Sequence, residues 1–285
     1  MCNTSEPGVA MLKTRLIKTC LPFSRRRMSA ILLAGSLALV GMFPFAAQAA
    51  DLADTIEKVK ASIVAVGTVQ PARRPPAKFQ ATGFVVAQGR HILTNAHALP
   101  DFLDTQNKET LAVFIGQGKN VESRLATKVA TDPGHDLALL EIEGAPLPPL
   151  RLGESQRLRE GQSIAFTGFP IGIVLGLFPV THTGIISAIS PVAIPVPAAG
   201  QLDAITLKRL KDEPFEVLQL DATAYPGNSG SPLYEPHTGQ VIGIINKVFV
   251  QESKETLLEK PSGITYAIPI RYAQALLKQV KGLAR

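Results

Sequence analysis

The chain of 285 residues has no Trp, only 4 Tyr and only 2 Cys. Two cysteines are too few for a disulfide scaffold or a zinc ribbon. Scarce Tyr and absent Trp disfavour stacking platforms for sugars or nucleic acid. Charge is also sparse, at 18% of residues against 46% hydrophobic ones. That balance excludes a disordered tail or a low-complexity filament. The formal charge of +6 suggests an anionic partner such as nucleic acid, but its distribution argues otherwise. Residues 1–49 carry Lys13, Arg15, Lys18, Arg25, Arg26 and Arg27 against the single acid Glu6. Of the chain's 29 basic and 23 acidic residues, this leaves 23 and 22 for the remainder. No clustered excess of Lys and Arg survives there to follow a phosphate backbone.

Those first residues have the layout of a secretory signal. Three arginines, Arg25 to Arg27, precede an apolar stretch from Ile31 to Phe45, and Ala47-Gln48-Ala49 closes it with a small-x-small site. Residues 1–49 are therefore expected to be removed, leaving 50–285 as the mature chain in the periplasm or outside the cell. An uncleaved membrane anchor is the competing reading, since the run from Ser29 to Ala50 is close to the lower limit for a span. Met28 is an alternative start. Cys2 and Cys20 both precede the cut, so the mature chain would be free of cysteine, which suits an oxidising compartment. Neither Cys follows the apolar run, so no lipid anchor is indicated, and no stable membrane attachment is expected after cleavage.

Residues 50–285 read as an all-β domain framed by helices. Leu52, Ile56 and Val59 keep helical spacing, with Asp51 or Asp54 near the helix start. Short strand-like runs follow over Ile63–Val69, Ala81–Val86, Leu111–Ile115, Leu137–Ile142, Ser163–Gly168, Thr181–Ile189, Val217–Leu220, Val241–Val248 and Ile264–Ile268, with Gly, Pro, Asn and Asp between them. Their spacing fits a sandwich or a pair of barrels better than alternating β-α units. Pro191–Gly200 reads as an irregular loop and Leu202–Asp212 as a short helix upon it. Pro269–Val280 reads as a closing helix with Ala273, Leu276, Leu277 and Val280 on one face. No internal repeat is visible.

Three short segments carry chemistry. Ser229 stands between Gly227 and Gly230 in Tyr-Pro-Gly-Asn-Ser-Gly-Ser-Pro. A nucleophilic serine needs a tight turn and backbone N–H groups aimed at a developing oxyanion, and flanking glycines permit both. The same tetrapeptide is also a common surface turn. His97 follows the small apolar strand Ile92-Leu93 through Thr94, Asn95 and Ala96. Asp136 opens the alternating strand Leu137–Ile142, where an acid can orient an imidazole; a turn Asp before a strand is the ordinary alternative. His91 lacks such a setting, and His135 is a weaker candidate than its neighbour Asp136. Together the three give the chain order His, Asp, Ser, 39 and 93 residues apart, as in chymotrypsin-type proteases.

The chain resembles the trypsin-like serine proteases of the HtrA (Deg) group. The matching text is Thr-Gly-Phe-Val-Val at 82–86, Ile-Leu-Thr-Asn-Ala-His at 92–97 and Asp-Leu-Ala-Leu-Leu at 136–140. It continues with Thr-Gly-Ile-Ile-Ser at 183–187, Pro-Gly-Asn-Ser-Gly at 226–230, Val-Ile-Gly-Ile at 241–244 and Gly-Ile-Thr-Tyr-Ala-Ile-Pro at 263–269. The resemblance implies a chymotrypsin-like fold of two six-stranded β-barrels with a C-terminal helix and a cleft between the barrels. It implies a serine endopeptidase acting through an acyl-enzyme, with His97, Asp136 and Ser229 as the triad and the N–H groups of Gly227 and Ser229 as the oxyanion hole. It places the base of a substrate pocket at Thr223, with walls from Ile244, Ile245 and Asn246. Neither metal nor cofactor is required. Polypeptides, unfolded proteins among them, are the implied partners. Nucleic acid is not, and homo-oligomers are open to the chain because related proteases often trimerise. The chain departs from the group in ending at the closing helix, where PDZ domains are usual, and in Ser231, where Gly is usual. The competing function is a protease fold kept as a binding or chaperone-like module with weak or conditional activity.

Overall fold

The computed structural model describes residues 51–118, 120–170, 176–191, 215–246, 264–280 and 282–283. The expected leader and the helix expected at Leu202–Asp212 lie outside them, as does the Pro191–Gly200 loop beyond Pro191. Among the described residues, twelve strands form two closed antiparallel barrels, matching the expected fold. The first contains β1 (Ile63–Val69), β2 (Ala77–Val86), β3 (His91–Asn95), β4 (Thr110–Gln117), β5 (Asn120–Asp132) and β6 (Leu137–Ile142), in the order β1-β2-β3-β6-β5-β4. The second contains β7 (Ser163–Gly168), β8 (Val180–Pro191), β9 (Glu216–Asp221), β10 (Pro232–Tyr234), β11 (Val241–Asn246) and β12 (Ile264–Pro269), in the order β10-β11-β12-β9-β8-β7.

Each barrel is filled by one face of its alternating strands. Val64, Val66, Val85, Ile92, Val113, Leu140 and Ile142 pack inside the first. Ile164, Phe166, Ile186, Leu218, Leu220 and Ile245 pack inside the second. The opposite faces of both barrels meet in a third cluster that includes Ala65, Phe84, Leu93, Leu137, Leu139, Tyr234 and Ile244. Fully burying one such Leu or Ile side chain contributes roughly 1.5–3 kcal/mol, so this shared cluster holds the two barrels in fixed relation.

Helix α1 (Leu52–Lys60) follows Asp51 and buries Thr55 and Val59. Helix α2 (Ile270–Gln279) starts after Pro269, whose φ of −55° suits a helix entry. It buries Ile270, Ala273, Leu276 and Leu277 in the shared cluster, close to the expected closing helix. The longest strand, β5, is absent from the expectation. Its burial alternates poorly, with Ala126 alone buried, at 8% exposure, so the sequence shows no apolar period there.

Candidate active site

The site is assembled from the ends of strands in both barrels. Strand β3 ends at Asn95, and one tight turn, Ala96–Ala98, carries His97 out of the sheet. Asp136 stands just before β6, the neighbour of β3, with Asn95 paired to Leu137. Its φ of 54° is left-handed, a conformation that costs about 1–2 kcal/mol for a residue with a side chain. The surroundings enforce it: the Asp136 carbonyl accepts from the Ala96 N–H and from the Asn95 amide, both at 3.1 Å.

The Asp136 carboxylate is held from three directions. Oδ1 accepts the backbone N–H of His97 at 2.9 Å. Oδ2 lies 2.6 Å from His97 Nδ1 and accepts from the Asn246 side-chain amide at 2.9 Å. An ionised carboxylate can only accept, so this contact favours the proton on Nδ1 and leaves the lone pair on Nε2. The imidazole is about one-third exposed and the carboxylate 10% exposed, so one ring edge reaches solvent while the acid is shielded. His135, next in the chain to Asp136, is engaged elsewhere. Its Nδ1 lies 2.7 Å from Asp132 Oδ2, and its ring stacks on Tyr272 at 4.1 Å. His91 remains on β3, where burial lowers its pKa against an opposing influence from Glu141.

Ser229 is nearly buried, at 7% exposure, in a turn that leads into β10. Gly227 and Gly230 flank the turn with φ of 100° and 83°. Gly230 has no alternative: a Cβ there would lie 2.1 Å from the Thr82 carbonyl oxygen. The turn is hydrogen-bonded through the Asn228 N–H to Tyr225 O at 3.0 Å, Ser231 N–H to Asn228 O at 3.0 Å and Gly230 N–H to Ile245 O at 2.9 Å. Among the described residues, the N–H groups of Gly227 and Ser229 make no internal hydrogen bond.

Two links bring this turn to the His-Asp pair. Thr82 on β2 donates its N–H to Ser229 O at 2.9 Å, and its own carbonyl accepts from Thr94 Oγ1, three residues before His97, at 2.8 Å. On the other side, Ile245 O holds Gly230 while the next residue, Asn246, holds Asp136. Thr223 is half-buried between Ala222 and Ala224, which pack with Ile245 at the second barrel's core. All three residues expected to wall a pocket there are buried, Ile245 among them inside the second barrel. Ile244 lies in the cluster between the barrels, and Asn246 is fully buried with its amide on Asp136. Asn246, expected as a pocket wall, thus also holds Asp136, a role the sequence did not signal, and Thr82 is a further site residue whose only signal was its place in the Thr-Gly-Phe-Val-Val run.

Residues 81–244 match the family model of the trypsin-like peptidase domain. A probable periplasmic serine endoprotease, DegP-like, of Pseudomonas fluorescens is 31% identical over 210 residues, which are 73% of this chain and 36% of that protein. One of the same name from Halomonas elongata is 32% identical over 200 residues, 70% of this chain and 35% of the relative. The chain spans about a third of the length of these curated relatives. The crystal structure of Deg5 aligns with a TM-score of 0.56 and 26% identity, covering 78% of this chain and 90% of that one. An HtrA-type protease solved with a tripeptide shares the fold at a TM-score of 0.56 and 24% identity, over 80% and 62% of the two chains. With more than half of its residues under the family model, and with its double barrel, this chain belongs to the trypsin-like peptidase domain family.

Proposed function

We propose that the protein is a serine endopeptidase working through a His97-Asp136-Ser229 triad. The observation that carries this reading is the His97 Nδ1 to Asp136 Oδ2 contact of 2.6 Å, tied through Thr82 and Asn246 to a glycine-flanked serine turn. Nε2 of His97 takes the Ser229 hydroxyl proton as the oxygen attacks the scissile carbonyl. Asp136 keeps the ring in the needed tautomer and stabilises the imidazolium. The N–H groups of Gly227 and Ser229, uncommitted within the turn, receive the oxyanion of the tetrahedral intermediate. His97 then protonates the leaving amine. A water, deprotonated by the same nitrogen, hydrolyses the acyl-enzyme and returns Ser229.

Polypeptides are the substrate class. Thr223 and its neighbours Ala222 and Ala224 carry no charge, and a pocket based on Thr223 would suit small or medium aliphatic side chains before the scissile bond. Residues 1–49 act as a cleaved signal and residues 50–285 as the protease. The periplasm is the proposed compartment, in keeping with the names of the relatives. Casein digestion by the protein and its Ser229→Ala variant tests the reading. The wild type should cleave and the variant should fall by at least about 10⁴-fold; equal rates would refute the triad.

A further inference from the structure

Thr82 belongs to the first barrel, yet its hydroxyl is used entirely by the second. Oγ1 accepts the N–H of Phe169 at 3.0 Å and donates to the carbonyl of Gly227 at 2.7 Å. The residue is fully buried, at 0% exposure, and accepting one bond leaves its proton for the other. Its backbone holds the same loop, since its N–H binds Ser229 O.

We infer that Thr82 is a positioning residue for the oxyanion hole, an inference that rests on the proposed role of the Gly227 and Ser229 N–H groups. Those two donors belong to the peptide planes 226–227 and 228–229. The plane between them, 227–228, sets how one faces relative to the other. That plane is held at both ends: its N–H, on Asn228, binds Tyr225 O at 3.0 Å, and its carbonyl, on Gly227, binds Thr82 Oγ1. Gly227 has no Cβ and sits at φ 100°, so sterics alone do little to stop that plane from turning. The Thr82 hydroxyl fixes it. The catalytic donors in one barrel are therefore set by a side chain of the other, and their geometry depends on the two barrels keeping their seat.

The test compares wild type with Thr82→Val, which keeps the shape and loses the hydroxyl, and with Thr82→Ser, which keeps it. The account predicts that Val lowers kcat about tenfold or more, leaves KM within about twofold, and weakens binding of a peptide boronate in parallel with kcat/KM. Ser should recover kcat to within about threefold. If the Val protein does not fold, Thr82→Ala takes its place, with folding checked by circular dichroism. A Val protein as fast as wild type, or a Ser protein as slow as Val, overturns the inference. A crystal structure of the Val protein gives a reading independent of activity: a turned 227–228 peptide supports the role of Thr82, and an unmoved one refutes it. A wild type that never acylates at Ser229 would sink the proposed function instead, with the crystal structure still deciding for Thr82.

Discussion

The side-chain amide of Asn246 donates to Oδ2 of Asp136, the same oxygen that faces His97 Nδ1. One carboxylate oxygen is thus shared between the imidazole of the first barrel and an amide from β11 of the second. This fixes the acid's rotamer toward the imidazole.

Asn246→Leu should therefore lower kcat. A hydrogen bond to a charged group is worth about 1.5–3 kcal/mol, so a loss of roughly ten- to a hundredfold is expected, with Asn246→Ser intermediate because a short donor remains. Steady-state kinetics on a peptide substrate check it. An unchanged kcat in the Leu protein would show that Asp136 is held well enough by the His97 N–H alone.

Gly230→Ala should be inactive and unstable. The new methyl would lie 2.1 Å from Thr82 O and 2.6 Å from Thr94 Oγ1, at a φ of +83°. Gly161→Ala is the control, with nearly the same φ of +80° and nothing within 4 Å. Backbone strain of about 1–3 kcal/mol is common to both. Thermal melts should show Gly230→Ala lower in Tm than Gly161→Ala by several degrees, with peptidase activity lost in the former alone. Equal melts would mean that the turn moves aside at little cost.

Acid stability should depend on Glu109. Its carboxylate accepts from Thr68 Oγ1 at 2.6 Å, from the Asp104 N–H at 3.1 Å and from Arg73 at 2.7 Å. These bonds lower its pKa from 4.5 to about 2, the Thr68 hydroxyl contributing most. A lowered folded pKa means that the stabilisation is present above the unfolded value and is lost as pH falls through the folded one. Urea melts of Glu109→Gln should be flatter than wild type between about pH 4.5 and pH 2. Parallel pH profiles would remove Glu109 from the account.

Cleavage should follow Val, Ala or Leu rather than Arg or Lys. Thr223 offers no charge to a buried cation, and an unpaired one there would cost several kcal/mol. Asp221 lies at the exposed end of β9, paired with Ile185 and Ile264. Site profiling on a denatured protein mixture decides it, and a majority of cuts after basic residues would show that an acid reaches the pocket.

The parts of the molecule legible in the sequence are those written locally. Alternating apolar runs marked most strands, and small residues around His97 and Ser229 marked the turns that present them. Strand β5 was hidden because a closed barrel gives it partners on both edges while leaving most of its side chains outside, so Asn120–Asp132 needs little apolar pattern. The bonds that Asn246 and Thr82 make were hidden for another reason. Their partners lie 110 and 145 residues away, and only closure of both barrels brings them together. The pocket-wall role expected of Asn246 came from the family resemblance, whereas its bond to Asp136 shows only once both barrels are closed.

Covalent labelling decides whether Ser229 is the nucleophile. Wild type and Ser229→Ala would be treated with a fluorophosphonate probe, digested, and mapped by mass spectrometry. One adduct is expected, on Ser229, and none in the variant. Labelling at another serine, or a wild type that stays unmodified while folded, would contradict it.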